Sequence, residues 1–220
     1  MASVASLREH LVDELNDLVD AEQQLIDALP QMAERAANRQ LRAAFKSHLA
    51  ETRQHAKRAA QALKQLGEKP SGKTCEAMKG LLEEGQELMD GADEGALCDA
   101  MMITAAQKVE HYEIASYGTV RTYASLLGEK GVARLLEQNL KQEKAADKKL
   151  TAIAEGTINK RAAREWQEQT SALEEAGGLI EKGASWIGST VGGAMKRVLP
   201  SQAADKPRKK SRGRSRTRSR

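Results

Sequence analysis

Seven residues of this 220-residue chain stand where a helical bundle should place hydrocarbon: Glu22, Glu51, His55, Glu110, Glu113, Glu143 and Asp147. Each interrupts an apolar stripe with alternating spacings of three and four, the pattern by which an amphipathic helix faces a core. The first stripe is Leu11, Leu15, Leu18, Glu22, Leu25, Leu29, and the second is Leu41, Phe45 (or Ala44), His48, Glu51, His55, Ala59, Ala62, Leu66. The third runs Ile103, Ala106, Glu110, Glu113, Tyr117, Val120, Ala124, and the fourth Leu136, Leu140, Glu143, Asp147, Leu150, Ala154. A buried carboxylate needs a compensating partner, and carboxylates converging on one layer repel one another. No Lys or Arg occupies these stripes, so the compensating charge has to come from bound cations. Oxygen-rich donors with one or two imidazoles suit iron or manganese better than a thiolate-seeking metal. The donors exceed what one ion needs and several can bridge, so two metal ions per chain are expected.

The spacing repeats. Glu51 and His55 are four apart, as are Glu143 and Asp147, while Glu22 precedes Glu51 by 29 residues and Glu113 precedes Glu143 by 30. Two helical pairs thus present donors as near copies. His48 lies three residues before Glu51, where it fits a hydrogen bond to that carboxylate at least as well as direct ligation. Whether His48 or His55 is the imidazole ligand of the second helix stays open. Tyr117, one turn beyond Glu113, is placed either to hydrogen-bond a ligand or to act as a core Tyr with its hydroxyl satisfied.

The elements that must position these side chains are helices. Ala, Leu, Glu, Lys, Gln and Arg abound, there is one Phe, and only four Pro occur in the chain, a helix-former composition. Ser6 and Glu9 have capping-box spacing, so the first helix starts near residue 6 and runs to about Leu29, where Pro30 should end or kink it. A second helix is predicted over about 39–66, a short one over 75–90, a third bundle helix over 95–126 and a fourth over about 132–155, with Gly156 and Asn159 closing the domain. Short links inside each pair and a long link between the pairs predict two antiparallel hairpins joined by a crossover that carries a short helix. That is the ferritin-like four-helix arrangement. The expected division is a bundle over 1–158, a helical extension over 159–199, and a disordered basic tail over 200–220.

Residues 206–220 hold nine Lys or Arg and no acid, while the remaining 205 residues hold 26 basic and 31 acidic groups, a net of about −5. The tail has the composition to bind phosphate backbones non-specifically, with steep salt dependence; a solubilising role is the alternative. The extension carries both Trp residues, Trp166 and Trp186, and a Gly188–Gly192 small-residue pair, which suggests docking against protein. Cys75 and Cys98 lack any zinc-type spacing and read as free thiols in a reducing compartment. No stretch approaches the roughly 20 apolar residues of a transmembrane helix, and a cytoplasmic chain is expected.

On the segments Asp20-Ala-Glu-Gln-Gln-Leu25, His48-Leu-Ala-Glu-Thr52, Glu143-Lys144 with Asp147 and Leu150, and above all Ala105-Ala-Gln-Lys-Val-Glu-His-Tyr-Glu-Ile-Ala-Ser-Tyr-Gly-Thr119, the chain resembles the YciF/YciE-type bacterial stress proteins. These are ferritin-like and related in fold to rubrerythrins and manganese catalases, and the likeness spans roughly residues 6–158. The resemblance implies a di-metal carboxylate site with Glu22 terminal or bridging, Glu51 and Glu143 bridging, and Glu110 with Glu113 as a paired set. It also implies a homodimer. Ferritin-like sites usually carry Glu-x-x-His on the second and fourth helices; here the offset is four, and Asp147 stands where His is expected. The cysteine pairs of a rubredoxin-type electron donor are absent. Two functions remain. One is an iron or manganese protein acting on peroxide or on Fe(II) and oxygen under stress; the other is a non-enzymatic metal-binding scaffold whose tail coats nucleic acid.

Overall fold

A computed structural model describes the chain over residues 5–183, with side chains through residue 173. The described residues are helical throughout: α1 (Leu7–Arg35), α2 (Arg39–Gln65), α3 (Glu76–Asp90), α4 (Ala96–Leu126), α5 (Lys130–Ile153), a π turn (Ala154–Ile158) and α6 (Asn159–Gly183). The compact unit that holds the bundle extends to Thr170.

Local chemistry sets the helix starts. Ser6 Oγ accepts from the Glu9 amide at 3.2 Å, and Glu9 Oε2 in turn accepts from the Ala5 amide at 2.7 Å, so the first N–H groups of α1 are satisfied. Asn38 caps α2, its Oδ1 accepting from the amides of Gln40 and Leu41 at 2.8 and 3.1 Å. Gly128, at φ 79°, makes the left-handed turn between α4 and α5 that a residue with a Cβ adopts only at a cost.

Two stop signals in the sequence do not stop the chain. α1 continues through Pro30 to Arg35. Proline in a helix interior costs about 3 kcal/mol or more, but Leu29, Met32 and Ala33 are all buried on the core face across that point, and their burial holds the helix together. Likewise Gly156 and Asn159 do not end the helical run: the chain widens into the π turn and continues as α6. Ile153, Ala154 and Ile158 are buried there, so the extra residue of the π register is accommodated with apolar contact kept on both sides of it.

α1 pairs with α2 and α4 with α5, and the hairpins meet through α2 against α5 and α1 against α4. The crossover runs along the outside of α1, and α3 packs mainly against α4 and also touches α1. Lys73 Nζ bridges Asp13 and Asp17 at 2.8 and 2.9 Å, the Asn16 side chain accepts from the Ser71 amide at 2.7 Å, and Asp20 Oδ2 accepts from the Cys75 amide at 2.7 Å. Two antiparallel hairpins joined by a long crossover make this a ferritin-like bundle. Its core is in two parts. One apolar cluster is built around Leu25, Leu29, Phe45, Met102, Ile103 and Leu150, the other around Leu11, Leu15, Leu18, Leu63, Val120 and Leu136. Between them lies a polar layer.

Candidate metal centre

The polar layer consists of Glu22 from α1, His48 and His55 from α2, Glu110 and Glu113 from α4, and Glu143 from α5, all between 0 and 7% exposed. Each sits in its helix's core stripe, so the packing of the neighbouring leucines fixes where its carboxylate or imidazole lies. Their donor atoms fall into two groups: His48, Glu110, Glu113 and Glu143 in one, Glu22, His55 and Glu143 in the other, the atoms of each lying within 4.8 Å of one another. Glu143 belongs to both. His48 Nε2 is 3.2 Å from Glu110 Oε1 and 3.9 Å from Glu143 Oε2. His55 Nδ1 is 2.5 Å from Glu143 Oε1 and 3.7 Å from Glu22 Oε1. The fully buried Tyr117 hydroxyl donates to Glu22 Oε1.

Burial dominates the electrostatics. It pushes Glu22 and Glu113 well above the usual carboxylate range, reinforced for Glu22 by the Glu143 charge and for Glu113 by the Glu22 and Glu143 charges. Glu110 rises to about 8 through burial, against the pull of His48 and with the push of Glu143. At His48 burial opposes the imidazolium, but Glu51, Glu110 and Glu143 outweigh it and raise the group to about 9. Three of the four carboxyl groups of this dry layer, those of Glu22, Glu110 and Glu113, therefore hold their protons more tightly when nothing else balances them. No Lys or Arg forms an ion pair with any of the four among the described residues.

The donor set fits cations. Ten buried side-chain nitrogen or oxygen atoms lack a hydrogen-bond partner among the described residues, and nine of them belong to these six residues. Native interiors pair such atoms almost without exception; here each of the six residues brings a donor atom into one of the two groups, and Glu143 into both, as ligands of an ion do. A group of this kind can hold a metal ion in a ferritin-like fold.

The sequence-predicted residues divide. Glu22, His55, Glu110, Glu113 and Glu143 are brought together. Glu51 and Asp147 are not. Thr52 takes the buried place on α2, and Glu51 lies one step round the helix with its side chain 39% exposed, 3.7 Å from His48 Nδ1. Asp147 is drawn out of the layer by α4: its Oδ1 accepts from Gln107 Nε2 at 3.0 Å and lies 3.4 Å from His111 Nε2. His48, left open from the sequence between ligand and hydrogen-bonding neighbour, aims Nε2 into the cluster. Three supporting residues escaped the sequence reading. Asn139 is fully buried and donates to the His55 carbonyl at 3.2 Å, while Gln142 and Arg58 form a chain onto the His55 ring. An amide at Asn139 between the core residues Leu136 and Leu140 was the available signal.

Outside the cluster, Cys75 and Cys98 are unpaired and buried, and Trp166 is 66% exposed. Trp186, the Gly188–Gly192 pair and the basic tail lie outside the described residues. No helix among the described residues is long and apolar enough to cross a membrane.

Comparison with known proteins agrees with this geometry. The family described as a domain of unknown function, DUF892, matches residues 6–163. Over 88 residues the chain is 51% identical to Protein YciF of Escherichia coli (strain K12), a match covering 40% of this chain and 53%, about half, of that protein. The crystal structure of the E. coli stress protein YciF superposes with a TM-score of 0.69 at 40% identity, covering 71% of this chain and 99% of that one. YcfI from Rhodopseudomonas palustris gives a TM-score of 0.66 at 42% identity, over 68% of this chain and 95% of its own. The chain belongs to the DUF892 family, as a YciF-type protein built on a ferritin-like helical bundle.

Proposed function

We propose that this chain holds two iron or manganese ions in the polar layer and uses them on peroxide, or on Fe(II) and oxygen, in a protective role. The observation that carries the reading is that six buried residues, holding nine unpartnered donor atoms, fall into two donor groups that share Glu143. His48, Glu110 and Glu113 would serve one ion, Glu22 and His55 the other, with Glu143 bridging. Glu51, for which the resemblance implies bridging, would instead lie beside the outer nitrogen of His48 at 3.7 Å, and His48 would supply the donor. Asp147 is left to Gln107 and His111. When bound, the ion pair would supply one electron per ion and a Lewis-acidic seat for an oxygen–oxygen unit. The chain's own part is to keep that seat dry between two apolar clusters, to fix the carboxylates through Tyr117 and the leucine packing, and to offer in Glu110 a carboxyl group raised by burial to about 8.

A stress role is supported by the description of the E. coli relative as a stress protein. The free buried thiols favour a cytoplasmic setting, and the family resemblance favours a homodimer. The nine cations of residues 206–220 favour non-specific nucleic-acid binding; a gel shift across a salt series should show weaker DNA binding by a 1–205 truncation than by the full chain, and unchanged affinity would remove this role.

Elemental analysis of the full chain as isolated tests the central reading, with about two iron or manganese ions per chain as the expected result. Full occupancy in a Glu113→Ala, Glu143→Ala double variant would sink it. Absence of both peroxide consumption and Fe(II) oxidation by protein carrying two ions would leave the metal site standing and remove the activity.

A further inference from the structure

A cavity of about 360 Å³ is lined by residues of α1 through α5 and reaches His48 and Glu110. Its volume lies at the small end of the roughly 300–1,000 Å³ typical of small-molecule sites. Its walls are mainly apolar, with Leu29, Phe45, Leu82 and Met89 among the side chains, while Gln24, Gln31, Ser47 and Gln86 also line it. The inner end carries the unpartnered Glu110 Oε2 and His48 Nε2. Against the apolar side chains a hydrocarbon chain gains by burial, whereas a hydrated Fe(II) ion or hydrogen peroxide gains nothing from them.

Charge narrows the ligand further. With two divalent ions bound, the four carboxylates Glu22, Glu110, Glu113 and Glu143 are balanced, so the inner end offers no net attraction to an ionic head group. The rim carries Asp27 and Glu51 against Lys149, which gives no cationic seat for an anion either. An ionic head buried there would be uncompensated.

We propose that this cavity binds a small uncharged aliphatic molecule with one terminal hydroxyl-type oxygen, an alkyl alcohol or alkyl hydroperoxide. The carbon chain would lie against Leu29, Phe45, Leu82 and Met89, with the oxygen toward His48 and Glu110. The proposal rests on the di-metal reading and deepens it: among peroxides, the site takes the alkyl kind.

Calorimetric titration of the metal-loaded full chain with 1-octanol, octanoate and octylamine tests it. The expected result is one octanol per chain, bound at least tenfold more tightly than either charged analogue and displaced by tert-butyl hydroperoxide. Ala28→Trp and Ala146→Trp, each a half-buried lining position, should each weaken octanol at least tenfold while metal content and helicity stay at the parent level. A charged analogue binding as tightly as octanol overturns the proposal, as does unchanged octanol affinity in both folded variants. Failure of displacement strikes the hydroperoxides from the class. Protein that holds two ions and ignores octanol sinks the cavity proposal alone; protein that takes octanol but holds no metal sinks the di-metal reading.

Discussion

Gln142 Oε1 lies 3.1 Å from His55 Nε2, and this contact fixes the tautomer of the imidazole. The same oxygen receives Arg58 Nη1 at 2.7 Å. A guanidinium can only donate, so the Gln142 atom facing it is the carbonyl oxygen, and His55 Nε2 must be the proton-bearing nitrogen. The lone pair of Nδ1 is left facing Glu22 and Glu143. Removing the acceptor with Gln142→Leu should weaken metal binding by about 10–100-fold, as outer partners of ligating histidines typically do. A chelator-competition titration reads the change, and unaltered affinity would show that Nδ1 is not a donor.

Glu143 is common to both donor groups, whereas Glu22 belongs to one. Glu143→Ala should therefore depress occupancy of both ions, and Glu22→Ala that of one. Glu51→Ala removes only the carboxylate beside His48 Nδ1 and should weaken binding without abolishing it. Metal-to-protein ratios after dialysis against a fixed free-metal buffer give the order. A Glu51→Ala protein as empty as Glu143→Ala would return Glu51 to direct ligation.

The metal-free protein should be least stable where the metal-loaded protein binds best. Glu110 is raised from 4.5 to about 8 and His48 from 6.5 to about 9. Both folded groups hold their protons more tightly than the unfolded chain does, so their contribution is present in full below the unfolded values and is lost as pH rises through the folded ones. Tm of chelator-treated protein should fall between about pH 5 and 9, while metal affinity rises over the same window because ligands must shed protons. A Tm of the stripped protein that climbs through this range contradicts the assignment.

Asp99 offers a test of the fold independent of metal. Only 3% exposed, it accepts from the amides of Ala37 and Asn38 at 2.9 Å each and so clamps the α1–α2 turn to α4. Asp99→Ala leaves two part-buried amide donors without their charged acceptor, at a cost of about 1–3 kcal/mol. Urea denaturation of the stripped protein measures it, and a change within error would mean that water replaces the carboxylate.

The helices and five members of the polar layer were legible because a charged residue inside a leucine stripe has few explanations. What the stripes left open was which of two adjacent positions points inward. On α2 the spacings His48–Glu51–His55 and His48–Thr52–His55 are equally periodic, and packing chose Thr52. At Asp147 the periodicity was right, but the competing partners Gln107 and His111 sit on another helix, which no pattern within α5 reveals. Pro30 and Gly156 misled for one reason: local stop signals are weaker than apolar burial on both sides of them.

The donors are divided three and three between the hairpins, Glu22, His48 and His55 on the first, Glu110, Glu113 and Glu143 on the second. During synthesis, a chain that has finished only α1 and α2 owns one of the four donors of one group and two of the three of the other. The residue shared by both ions is the last of the six to emerge. Metal uptake on this reading is a timestamp for completed folding: a stalled or truncated chain ending before residue 143 would gather no ion pair, and so could not begin redox chemistry before the bundle that contains it has closed.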